Sequence, residues 1–194
     1  MTPPIVVSHT LKIGFVTIPK TASTSVVAAL MAVDGADVRN MTAEQVHKAK
    51  QNVPAPAGYA IYAVVRNPYD RLVSVWQNKV HKPHKPQTIL LRMGFREGMS
   101  FPDFVRMVRA KGTGCNPHLY PQHDFLSGTD AALLRYERLA AEWLALMAEH
   151  PGLPELPCMN ASAHKSYREY YDAETQEIVG SMYARDLTRL GYAF

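Results

Sequence analysis

The sequence predicts an α/β fold: a central parallel sheet with helices packed against it. Two apolar runs carry the prediction, Ile13 to Ile18 and Tyr59 to Val65. Both are short and dense in β-branched or aromatic residues, as buried strands are. Each leads through a polar segment into residues with helical apolar spacing. Such alternation of strand and helix belongs to parallel sheets covered on both faces. At 194 residues the chain is sized for one domain with a sizeable core, residues 1–194.

The first strand runs into Pro19-Lys20-Thr21-Ala22-Ser23-Thr24-Ser25, and Val26, Val27, Ala29, Leu30 and Val33 then form the buried face of a helix. A helix start aims backbone N–H groups and the positive dipole end at one point. The hydroxyls of Thr21, Ser23, Thr24 and Ser25 and the Lys20 ammonium join them there, and no residue of the loop is acidic. A phosphate or sulfate suits this setting. The spacing from Gly14 to Pro19-Lys20-Thr21 approaches the Walker A pattern, so the architecture expected is P-loop-like, in three layers. Pro19 stands where the second glycine belongs and offers neither an N–H nor glycine's open dihedral angles. With no apolar strand ending in a magnesium-binding aspartate, a nucleotide triphosphatase is disfavoured.

A turn is expected at Asp34 to Asp37, then a helix from Thr42, its cap, through Lys50, and a loop at Val53 to Gly58. The strand from Tyr59 ends in Val65-Arg66-Asn67-Pro68-Tyr69-Asp70-Arg71-Leu72-Val73-Ser74. Pro68 suits a first helical turn. Tyr69, Leu72, Val73, Trp76 and Val80 make the buried stripe; Ser74 lies off it, free to face a ligand. Arg66 sits at a strand's carboxyl end, where open α/β sheets bind ligands. Arg71 reads as half of a structural salt bridge.

The stretch Pro19 to Ser25 closely resembles the 5′-phosphosulfate loop of sulfotransferases, and most of all that of the carbohydrate enzymes of heparan sulfate 2-O and chondroitin type. Val65 to Ser74 resembles the same family's 3′-phosphate motif. The resemblance implies the sulfotransferase fold and a donor, 3′-phosphoadenosine-5′-phosphosulfate (PAPS), held without a metal. It assigns Lys20, Thr21, Ala22, Ser23, Thr24 and Ser25 to the 5′ end, and Arg66 and Ser74 to the 3′-phosphate. Arg offers a fork of donors matched to phosphate, and Ser adds a neutral donor. The competing reading pairs Arg66 with Asp70.

Further along, Lys79, His81, Lys82, His84, Lys85, Arg92 and Arg96 form a basic, Pro-containing segment, either solvated or a wall for an anionic acceptor. Ser100 caps an amphipathic helix with Phe101, Phe104, Val105 and Val108 inward. Asn116 to His123 resembles the family's cleft loop of His, an aromatic and Pro-Gln. Leu133 to Tyr136 is expected as a third strand, with a helix after it burying Leu139, Trp143 and Met147. Glu137 reads as a cap or salt-bridge partner. The polar loop Asn160 to Arg168 resembles a segment that closes over the nucleotide, with Lys165 a phosphate contact and Ser162 and His164 beside it. One final helix, Ile178 to Leu190, ends at Gly191.

The implied reaction moves a sulfuryl group to a hydroxyl, most simply on a carbohydrate, by in-line attack on sulfur. Lys20 and the loop N–H groups neutralise charge growing on the leaving phosphate. A base must take the acceptor's proton, and His is the usual choice. The position aligned with the base of the heparan 2-O type is Asn40 here. His118 ranks first as its replacement and His47 second, with Asp37 and Glu44 as acidic alternatives. Rival readings are a sulfotransferase for a phenol, small metabolite or peptide, a module that binds the bisphosphate nucleotide without catalysis, a small-molecule P-loop kinase, and a nucleic-acid binder. Scattered basic residues and a formal charge of only +4 speak against the last. Cys115 and Cys158 have no metal-ligand spacing and read as idle thiols. The start carries no basic n-region and no long apolar core, and no run reaches membrane-span length, so a cytoplasmic protein is expected.

Overall fold

The computed structural model describes residues 3–49, 52–54, 56–81, 89–159 and 165–194. In chain order the strands are β1 (Ile5–Ser8), β2 (Ile13–Val16), β3 (Ala60–Val65) and β4 (Ala132–Arg135). The α-helices are α1 (Ser23–Val33), α2 (Ala43–Ala49), α3 (Pro68–Trp76), α4 (Ile89–Arg92), α5 (Phe101–Lys111), α6 (Gln122–Leu126), α7 (Leu139–Glu149), α8 (Ala173–Met182) and α9 (Ala184–Leu190). The chain divides into two compact units: residues 1–66 with 124–161, and residues 67–123 with 162–194.

The first unit holds the whole sheet, in the order β1-β2-β3-β4. β2, β3 and β4 are parallel, while β1 forms an antiparallel hairpin with β2. The sheet is therefore mixed but dominated by parallel pairs, as the strand–helix alternation predicts. β1 has no counterpart among the expected strands. Its apolar run, Ile5-Val6-Val7, is three residues long and too short to stand out by pattern. Gly14 lies inside β2 rather than at the head of a phosphate loop. A Cβ there would come within 2.9 Å of Ile61 and 3.1 Å of Ile5, so the glycine lets side chains of β1 and β3 close over it. Phe15, Val26, Val27, Leu30, Val64 and Trp143 lead this unit's core. Thr42 caps α2 as expected: its Oγ accepts from the Gln45 N–H, and the Gln45 side chain accepts from the Thr42 N–H.

Two carboxylates secure the ends of these elements. Asp34 at the end of α1 accepts from the Ser8 hydroxyl at 2.7 Å and from the N–H groups of His9 and Thr10 at 3.1 and 3.2 Å. Partial burial pushes its pKa up, but those hydrogen bonds outweigh burial and the carboxyl ends below its ordinary 3.8. On β4, the Arg135 N–H donates to Glu142 of α7, which also pairs with Arg138.

The second unit is helical. Tyr69, Leu72, Val73 and Trp76 of α3 pack with Phe101, Phe104, Val105 and Val108 of α5 and with Ile178 and Val179 of α8. α5 starts where its cap predicts: the Ser100 Oγ accepts from the Asp103 N–H. After α3 the chain makes a π-helical turn, Gln77–His81. The expected single last helix is two, broken at Tyr183, which is buried and whose hydroxyl donates to the Leu119 carbonyl at 2.8 Å. Tyr183 itself takes φ −114 and ψ 23, off the helical values, and so separates the two helices. Gly191 ends α9 at φ 64, a left-handed cap. Gly180 allows close approach on α8, since a Cβ there would lie 2.8 Å from the Tyr69 hydroxyl.

Candidate active site

The loop between β2 and α1 is the chemically distinctive part of the first unit. Its two shoulders are tied down. Thr17 donates through its N–H and its hydroxyl to the Pro4 carbonyl, at 2.8 and 3.1 Å. The Thr21 hydroxyl donates to the Ile18 carbonyl at 3.0 Å, and Thr21 is 1% exposed. Between and beyond these anchors the backbone turns left-handed twice, at Lys20 (φ 72) and Ala22 (φ 60). Residues with a Cβ avoid that region. Backbone of this shape gathers successive N–H groups into a concavity suited to an anion.

The helix start is equally unusual. Ala22 occupies the cap position of α1, no side chain caps the helix, and no acidic residue lies in its first turn. Caps are ordinarily Ser, Thr, Asp or Asn, whose oxygens satisfy the first N–H groups. Here serine and threonine are abundant but stand at positions 21, 23, 24 and 25, around the cap and not on it. Ser23 and Thr24 are half-buried, and Ser23 borders a narrow crevice with Phe15, Thr17, Thr21 and Val26. Ser25 is buried, and its Oγ accepts from the Met159 N–H at 3.2 Å. The Thr21 hydroxyl proton is thus given to loop closure, while the Ser25 oxygen, engaged as an acceptor, keeps a proton to donate.

Arg66 leaves the end of β3 and is 3% exposed. One guanidinium N–H donates to the Lys20 carbonyl at 3.1 Å, and the guanidinium lies over the Tyr136 ring at 4.1 Å from its centroid. The fold therefore brings Arg66 and the Lys20–Ser25 loop together. His47 belongs to this unit as well, exposed on the last turn of α2.

In the second unit, Asn67 caps α3 through its Oδ1, which accepts from the Tyr69 N–H at 3.0 Å. Its Nδ2 donates to the Ala193 carbonyl at 2.8 Å and to the Tyr167 hydroxyl at 3.3 Å. Ser74 is fully buried, where its place off the apolar stripe suggested an open face. The difference arises because α3 is enclosed nearly all round: Arg71 and Val75, off the stripe too, are 2% and 0% exposed. Arg71 donates to the carbonyls of Tyr120 and His118, at 2.9 and 3.2 Å.

His118 is fixed by its neighbours. Its N–H and its Nδ1 both lie 3.0 Å from the Asn116 Oδ1, and Asn116 is buried. An Nδ1–H donating there leaves Nε2 as the basic nitrogen. Lys165 is exposed and pairs with Glu169 at 3.5 Å. Ser162 and His164, with Asn160 and the basic residues Lys82, His84 and Lys85, lie outside the described residues.

Sequence reasoning missed Asp186. It is fully buried, accepts from the N–H groups of Gln122 and His123 at 2.6 and 2.9 Å, and lies 2.7 Å from the His123 Nδ1. Its sequence neighbourhood, Ala184-Arg185-Asp186-Leu187-Thr188-Arg189, offers no signal of this role. Among the described residues no cluster of His, Cys, Asp and Glu could hold a metal ion, and no helix is long and apolar enough to cross a membrane. Cys115 and Cys158 are free thiols.

Compared with known protein families, the chain matches the sulfotransferase family model over residues 3–193. No curated protein and no solved structure matches it.

Proposed function

We propose, from the premise that the chain belongs to the sulfotransferase family, that it moves a sulfuryl group from PAPS to a hydroxyl of a carbohydrate. The observation that carries this reading is the loop: two left-handed residues and an uncapped helix start, with Lys20 present and no acid in the helix's first turn. Those features suit a permanently charged 5′-phosphosulfate. Bound PAPS supplies an activated sulfuryl group and a bisphosphate leaving group. The chain's residues hold that end, balance the charge that grows on it and take a proton from the acceptor.

Lys20 and the N–H groups of residues 21–25 meet the leaving phosphate, where charge develops during transfer. Ser23, Thr24 and Ser25 add hydroxyl donors. Arg66 keeps the 3′-phosphate role implied by its motif. Ser74 and Lys165 are further donor-binding residues on the same reading. His118 is the first choice of base because the Asn116 contact sets its tautomer, with Nε2 basic. His47 is the second.

Calorimetry with adenosine 3′,5′-bisphosphate (PAP), AMP and ATP, all without magnesium, tests the donor assignment. The bisphosphate is expected to bind most tightly, with AMP weaker for want of the 3′-phosphate. Equal binding of all three would overturn the reading.

A further inference from the structure

The sheet order places the carboxyl ends of three parallel strands side by side. Each end delivers one residue to a single line of contacts. Lys20 follows β2 by four residues, Arg66 follows β3 at once, and Tyr136 follows β4 at once. The Tyr136 ring lies under the Arg66 guanidinium, 4.1 Å from centroid to Cζ. The same guanidinium reaches the Lys20 carbonyl at 3.1 Å. We infer that Tyr136 is a positioning residue for the anion loop, acting through Arg66 on the peptide that joins Lys20 to Thr21.

The physical argument rests on the planarity of that peptide. In a trans peptide the carbonyl of one residue and the N–H of the next point in opposite directions within one plane. Holding the Lys20 carbonyl toward Arg66 therefore turns the Thr21 N–H the other way, out of the Arg66 side of the loop. A residue with a Cβ at φ 72 does not stay there by its own preference; the surroundings must hold it. The Arg66 hydrogen bond is such a hold, and it works only while the guanidinium keeps its place. The face of an aromatic ring attracts a cation, most strongly where water is excluded, and Arg66 is 3% exposed. Tyr136 thus supplies the platform, Arg66 the link, and Lys20 the turned peptide. The inference rests on reading this loop as the donor site, but the contacts it uses lie within the chain itself.

The test compares Tyr136→Phe, which keeps the ring face, with Tyr136→Leu, which loses it. Amide NMR of the ligand-free proteins should show the Thr21 and Ala22 resonances moved in Tyr136→Leu and in place in Tyr136→Phe. The Arg66 Nε–H proton should carry a ring-current shift in the wild type and in Tyr136→Phe alone. PAP affinity should fall about tenfold in Tyr136→Leu and stay within about twofold in Tyr136→Phe. Loop amides unmoved in Tyr136→Leu overturn the relay. So does equal damage from both variants, which would make the hydroxyl the working group. If Tyr136→Leu does not fold, Arg66→Lys replaces it, and unmoved Thr21 and Ala22 amides there overturn the relay equally. A wild type indifferent to PAP would refute the donor site and leave the amide comparison standing as the test of the relay.

Discussion

Replacing Lys20 with glycine should make the protein more stable and far less active at once. Lys20 sits at φ 72. A left-handed conformation disfavours an L-residue by about 1–2 kcal/mol, and glycine escapes that penalty. Glycine's greater freedom in the unfolded chain takes back about 0.5–1 kcal/mol. The net gain is about 0.5–1 kcal/mol, which for a chain of this length is a rise of about 1–4 °C in Tm. Lys20→Ala keeps the Cβ and hence the strain, so it gains nothing and serves as the control. Both variants lose the ammonium, whose charge-assisted hydrogen bonds contribute about 1.5–3 kcal/mol each. Because charge grows on the leaving phosphate only during transfer, turnover should fall about a hundredfold or more and PAP affinity much less. Thermal melts without nucleotide, calorimetry with PAP, and single-turnover transfer from a labelled donor supply the three numbers. A Lys20→Gly protein no more stable than Lys20→Ala would refute the strain argument. Equal losses in affinity and in turnover would refute the transition-state role.

Two other substitutions probe features away from the loop. Asp34→Asn should lower Tm near neutral pH. The folded-state pKa of Asp34 is depressed, so its stabilisation is present above about pH 3.8 and fades as pH falls through the lower folded value. Melts of the two proteins should therefore converge toward pH 2; a gap that persists there would show that the side chain acts without its charge. Gly180→Ala should destabilise by about 1 kcal/mol in urea unfolding. Its new Cβ would meet the Tyr69 hydroxyl at 2.8 Å, and overpacking of about 1–3 kcal/mol outweighs the helix-propensity gain of about 0.5–1 kcal/mol. A stabilised variant would mean that Tyr69, packed among Tyr171, Phe194 and Tyr167, moves aside freely.

Local chemistry made much of this legible in the sequence. The strand near Tyr59 to Val65, the Ser100 and Thr42 caps and the passage from β2 through a polar loop into a helix follow from side chains a few residues apart, while the helix starts at Ser23, inside the stretch expected as loop. The parallel pairs followed from the alternation of strand and helix. What stayed hidden depends on distant partners. Ser74 lies off the apolar stripe of its own helix, and nothing in the nearby sequence tells that its other side is covered too. Arg71 also donates to the carbonyls of His118 and Tyr120, which lie more than forty residues away in the chain and so were out of reach of local pattern. Tyr136 was visible as the end of a strand, but its place under Arg66 required knowing that β3 and β4 are neighbours. The left-handed turns at Lys20 and Ala22 could not be read, because neither residue type announces such a conformation. Asp186 showed no pattern at all until the fold placed two backbone N–H groups upon it.

The Glu142 contact on β4 bears on how the protein behaves in a crowd. β4 is the last strand of the sheet among the described residues, and Leu133 on it is 45% exposed. Open strand edges invite pairing with other chains, which is one route to aggregation. Glu142 occupies the Arg135 N–H that an intruding strand's carbonyl would need, and it sets a negative charge in that strand's path. An intruder would have to displace the carboxylate and accept burial beside it, so this margin of the sheet resists growth into a larger β assembly. The guard is a single side chain on α7, anchored by Arg138 as well. Among the described residues the sheet remains four strands wide.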